Sequence, residues 1–148
     1  MDAAGNDDKG SANVLRLQPL RVLVSGRDRR FVRVTSFLLS RRGYDVAQAP
    51  LGDVVEAAER HRSDVVLLEV SDSRVVAGRA IAGLQASAAS PGVLLVFEAG
   101  QDDRWNGLSG VPKWTPIEEL IGEIERAALR RIPPAVAALL AERESQSL

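Results

Sequence analysis

Short apolar runs alternate with amphipathic stretches along most of this chain, and that alternation restricts its fold more than any other feature. Arg21-Val22-Leu23-Val24-Ser25, Asp64-Val65-Val66-Leu67-Leu68-Glu69-Val70 and Val93-Leu94-Leu95-Val96-Phe97 are nearly continuous apolar segments. Such segments suit strands buried on both faces, because a half-exposed strand would alternate apolar with polar residues. Tyr44 to Ala47 and Val111 to Trp114 are shorter strand candidates. Asp28 can cap a helix running to about Arg42, with Phe31, Val34, Thr35 and Leu38 on one face and Gly43 as its stop. A second helix is predicted from Asp53 to His61, with Leu51, Val54, Val55 and Ala58 inward. A third, opened by Asp72 or Ser73, carries Ala77, Ile81 and Leu84 on its inner stripe. Thr115 and Glu118 have capping-box spacing, with Pro116 at the first helical position. The helix that follows aligns Ile117, Leu120, Ile121, Ile124 and Ala128, and Pro133-Pro134 end it.

Strands interleaved with helices predict an α/β fold with a parallel sheet covered on both faces. Right-handed crossovers then give a flavodoxin-like, doubly wound five-stranded sheet of order 2-1-3-4-5. Its site lies at the carboxyl ends of the strands, at the switch between strands 1 and 3. Gly26, Arg27, Asp28, Glu69, Glu98 and Lys113 all fall at those ends. The polar, glycine-rich stretch from Gly100 to Gly110 holds one or two helical turns at most, so the fourth helix is shortened. Residues 1–18 read as a disordered tail, 19–131 as the folded domain, and 132–148 as a C-terminal extension with a short helix over 135–143.

Composition removes several function classes. A chain of 148 residues with 45% hydrophobic residues buries a real core. A net charge of −1 supplies no basic field for nucleic acid, so direct nucleic-acid binding is not expected. With no cysteine and one histidine, His61, neither disulfides nor cysteine- or histidine-rich metal sites are available. No apolar run reaches the ~18 residues of a membrane helix, and a cytoplasmic location with no membrane contact is expected. No glycine-rich phosphate loop, nucleophile elbow or paired catalytic acids stand out, so no enzyme activity and no catalytic residue is predicted.

The order and spacing of these elements resemble the receiver domain of bacterial two-component response regulators over roughly residues 20–131. Val22-Leu23-Val24 followed by a helix matches the first βα unit. Glu69 ends the third strand where the family has its phosphorylated aspartate, and Glu98 follows the fourth where the family has Thr or Ser. Lys113, the only lysine in the folded region, stands where the family's lysine clamps the aspartyl phosphate. The two acids with which the family holds magnesium are replaced by Gly26 and Arg27. Magnesium needs oxygen ligands in near-octahedral geometry, so the resemblance implies a degenerate, pseudo-receiver pocket with no metal and no cofactor. Glu69 is one methylene longer than aspartate, which displaces it from the geometry of phosphoryl transfer. Lys113 precedes Trp114 where the family usually has proline, often cis; a trans bond and a rearranged loop are expected.

Lys113 and Arg27 are the candidate partners of the Glu69 carboxylate, since a charge at a sheet end is stable only when paired or wet. The expected function is phosphorylation-independent signalling or regulation through contact with a protein partner or a second copy of the chain, a homodimer. Trp105, Leu108 and Trp114 are the candidate interaction surface, on the face where receivers dimerise and signal. One alternative is a sensor in which a small anion or nucleotide binds at the strand ends through Arg27 and Lys113. A second alternative is a phosphorylatable response regulator using Glu69 or Asp28.

Overall fold

The computed structural model describes residues 19–70, 74–88, 90–98 and 108–130. The N-terminal tail, Trp105 with most of the shortened-helix region, the Asp72 and Ser73 helix start, and the C-terminal extension lie outside the described residues. The described elements are β1 (Arg21–Ser25), α1 (Arg29–Arg41), β2 (Asp45–Ala49), α2 (Val54–His61), β3 (Val65–Val70), α3 (Arg74–Ala86), β4 (Gly92–Phe97), β5 (Gly110–Pro112) and α4 (Ile117–Arg130). A single 3₁₀ turn, Leu51–Asp53, leads into α2.

All strand pairings are parallel and the order is β2-β1-β3-β4-β5, as the alternation predicts. Every residue of β3 is buried, which is why its sequence shows no polar alternation. Leu23, Leu68, Leu95 and Ile81 belong to the core beneath α2 and α3. Val22, Val24, Leu67, Leu94 and Ile124 belong to the core beneath α1 and α4. Fully burying each of these aliphatic side chains stabilises the fold by roughly 1.5–3 kcal/mol relative to leaving it exposed.

The helix α1 is rotated from its predicted face. Phe31, Val32, Thr35, Ser36 and Leu39 are buried, whereas Val34 and Leu38 remain partly exposed beside Phe37. Thr35 is buried as predicted and Ser36 joins it, so two hydroxyl side chains line the buried face with Leu39. Gly43 does end this segment, with φ +92°, a conformation that a side chain resists. In α3, Ala77, Ile81 and Leu84 are buried as predicted, joined by Ala80.

The α4 start also differs. Thr115 donates its hydroxyl back to the Pro112 carbonyl, at 2.5 Å, and Glu118 pairs with Arg42, just past the end of α1. The Thr115–Glu118 reciprocal cap is therefore replaced by a turn: the Thr115 N–H also bonds Pro112 O at 3.2 Å. Trp114, inside that turn, has φ +66°. No cis peptide bond occurs among the described residues, in line with the expected trans Lys113–Trp114 bond.

Candidate functional site

Four β–α junctions meet at the carboxyl end of the sheet, and each delivers one charged side chain. Asp28 follows β1, Glu69 lies in β3, Glu98 follows β4 and Lys113 follows β5. The Lys113 N–H bonds the Phe97 carbonyl at 2.6 Å, which aims the residue inward immediately after the strand pairing ends.

The Lys113 ammonium lies 2.6 Å from Asp28 Oδ2, 2.8 Å from Glu98 Oε2 and 3.5 Å from Glu69 Oε2. Its side chain is only 9% exposed and also lies 5.9 Å from the Phe31 ring centre. Burial pulls the ammonium toward its neutral form, but hydrogen bonds to Asp28 and Glu98 and the Glu69 charge outweigh it, and the pKa rises. The hydrogen bond from Lys113, helped by the Phe31 N–H, holds the Asp28 carboxyl below its usual range.

Asp28 has two jobs because its two oxygens face different ways. Oδ1 caps α1, accepting from the N–H groups of Arg30 at 3.0 Å and Phe31 at 3.2 Å, while Oδ2 meets Lys113. The predicted cap is thus also a member of the charge cluster.

Glu69 is 1% exposed, the one charged residue among the largest fully buried side chains. Oε1 accepts from the N–H groups of Arg27 at 2.9 Å and Asp28 at 3.2 Å. Oε2 has no hydrogen bond, and the Lys113 ammonium is its nearest described countercharge. The predicted Lys113 partnership of Glu69 is present. The predicted Arg27 partnership runs through the Arg27 backbone, and the Arg27 residue itself is exposed.

Gly26 makes this placement of Glu69 possible. A Cβ at position 26 would lie 2.5 Å from Glu69 Oε1 and 2.6 Å from Glu69 Cβ. The absence of a side chain at Gly26 and the placement of Glu69 are therefore one packing arrangement. Sequence reasoning read Gly26 only as a lost ligand and missed that it makes room for the longer acid.

The cluster's chemistry follows from its occupants. Asp28, Glu69 and Glu98 converge on an ammonium rather than on a coordination sphere, and no group of three or more metal-ligating side chains suited to an ion occurs among the described residues. Lys113 thus has three carboxylates within ion-pair distance. Leu108 is half-buried against the core, and so is not an exposed anchor. Trp114 is 52% exposed and turns toward α1, its ring edge-to-face on Phe31 at 5.4 Å and 72°. It lines a groove with Val34 and Leu38 on the α1 side instead of forming a surface with Leu108. No described helix is long and apolar enough to cross a membrane.

No family model and no curated protein matches the sequence. Solved structures do match in shape. The signal receiver domain of a LuxO repressor protein from Vibrio parahaemolyticus superposes with a TM-score of 0.64 at 14% identity, covering 84% of this chain and 98% of that one. The receiver domain of the response regulator NarL from Mycobacterium tuberculosis gives 0.63 at 20% identity, covering 77% and 99%. The receiver domain of the hybrid histidine kinase CckA gives 0.56 at 20% identity, covering 73% and 98%. The strand order, the covered faces and these superpositions establish that the chain has the flavodoxin-like fold of receiver domains.

Proposed function

We propose that this chain is a pseudo-receiver that acts in signal transduction by protein–protein contact and is not switched by phosphorylation. One observation carries the reading: the Glu69 carboxylate is folded against Gly26 and onto the Arg27 and Asp28 amides, with Lys113 already neutralised by three carboxylates. A phosphoryl group needs an accessible acceptor and a cation to spread its charge. Here the acceptor is buried, and the places of the two metal-binding acids hold Gly26 and Arg27. On this reading the Lys113 ammonium takes the place where the three carboxylates converge, in place of a magnesium ion, and the pocket is a permanent structural ion cluster. The carboxylate holds one negative charge where a phosphate would carry nearly two, so it fixes the junctions in one arrangement without a second state.

The test is incubation with acetyl phosphate and Mg²⁺ followed by intact-mass measurement. The expected mass is unchanged, and a stoichiometric phosphoryl adduct that disappears in Glu69→Gln would end the reading.

The contact surface on this reading is the α1 side, where Phe37 is 59% exposed and Val34 and Leu38 of the same helix line a groove with Trp114. Exposed aromatic residues are the usual anchors of interfaces. A homodimer through this side is the preferred assembly. Sedimentation equilibrium of the wild type and of Phe37→Glu checks it: dissociation in the variant supports the assignment, and a wild type that stays monomeric removes the homodimer.

A further inference from the structure

We infer that a second site, separate from the Lys113 cluster, binds a phosphate-bearing small molecule of nucleotide size. It is a cavity of about 900 Å³ between the β1–α1 and β2–α2 junctions. Arg27, Arg29 and Arg33 line it together with apolar Val32, Leu51 and Val76. None of its described lining residues is acidic.

The charge arrangement is the reason to expect an anion. Arg29 and Arg33 are four residues apart on α1, so their guanidinium groups are neighbours on one helix face, an arrangement that costs stability. Neither has an ion pair or hydrogen bond from its side chain among the described residues. Nearby carboxylates are already engaged: Asp28 is held by Lys113, and Glu69 by the Arg27 and Asp28 amides and Lys113. A ligand carrying two or more negative charges would relieve this repulsion, and the planar guanidinium fork accepts phosphate oxygens two at a time.

Size and wall chemistry narrow the class. The volume lies within the range of small-molecule sites, roughly 300–1,000 Å³, and far exceeds what a lone phosphate fills. The apolar wall of Val32, Leu51 and Val76 suits the flat, weakly hydrated part of a nucleoside. This site keeps Arg27 from the anion reading of the sequence but replaces Lys113 with Arg29 and Arg33. It is independent of whether the chain docks to protein or is phosphorylated.

Isothermal titration at physiological salt tests it with three probes: ADP, adenosine and inorganic pyrophosphate. ADP should bind with both others at least roughly tenfold weaker, because each lacks one half of the recognition. In the Arg29→Ala/Arg33→Ala double variant, ADP affinity should fall roughly 10- to 100-fold through loss of charge-assisted hydrogen bonds. Arg126→Ala, remote on α4, should leave it unchanged. Both arginines are exposed, so the variant should fold, and an unaltered circular dichroism melt in ligand-free buffer checks this. No heat with millimolar ADP, equal affinity in the double variant, or pyrophosphate binding as tightly as ADP would each overturn the inference.

Discussion

Gly26 and Glu69 share one volume: the space a Cβ would take at position 26 is filled by the Glu69 carboxylate and its Cβ. An acidic side chain placed at 26 therefore has to displace Glu69. Shortening Glu69 to Asp does not cure this, because the closest approaches include the Glu69 Cβ, which Asp retains.

Gly26→Ala should accordingly lower stability by roughly 1–3 kcal/mol, the usual range for overpacking. Gly26→Asp should cost at least as much, and the Gly26→Asp/Glu69→Asp double variant should not return to wild-type stability. Urea unfolding of the three variants measures this. A Gly26→Asp protein as stable as wild type would show that the volume is not shared.

Lys113→Met should be severely destabilising, by roughly 3 kcal/mol, because it leaves the buried Glu69 carboxylate without its countercharge. Lys113→Met/Glu69→Gln should recover part of that loss, since the remaining side chain is neutral. The double-mutant cycle reads the coupling directly. Additive losses from the two changes would mean that Lys113 and Glu69 do not interact.

The pH dependence of stability has a defined sign. Asp28 is held below its ordinary 3.8, so its contribution is complete above that value and lost as pH falls through the folded value. Lys113 is held above its ordinary 10.5, so its contribution is complete below that value and lost as pH rises through the folded value. Asp28→Asn keeps a capping side chain but removes the ion pair. The stability gap between wild type and Asp28→Asn should be constant near neutral pH and close steadily in acid, below the ordinary Asp range. Urea midpoints across that range check it, and a gap that persists undiminished in acid would refute the pairing.

Trp114 should reverse the usual order of small substitutions. At φ +66°, a residue with a Cβ is strained and glycine is not. Trp114→Ala loses the Phe31 contact and keeps the strain, whereas Trp114→Gly loses the contact and relieves it. Trp114→Gly should therefore be more stable than Trp114→Ala by roughly 1 kcal/mol. Thermal melts of the two variants settle the order, and a more stable alanine variant would refute the left-handed turn.

Much of the fold was legible because parallel strands bury both faces and so announce themselves as apolar runs, as Val65–Val70 and Val93–Phe97 do. The convergence of Asp28, Glu69, Glu98 and Lys113 was legible from their places at strand ends. What the residues do there was less so. Whether Glu69 meets Arg27 through its guanidinium or its amide depends on a few ångströms of backbone, which spacing does not encode. The α1 face was misjudged at Val34 and Leu38, which are left exposed, while Val32, Ser36 and Leu39 join Phe31 and Thr35 on the buried side. Leu108 and Trp114 are close in sequence, but the turn at Lys113–Trp114 sends the second ring to the opposite layer.

One nitrogen atom, the Lys113 Nζ, gathers the downstream ends of β1, β3 and β4 onto the end of β5. It acts as a non-covalent clasp across four of the five strands. Loops hung from such a clasp are held in register with one another, so a disturbance at any one of them is felt by the other three.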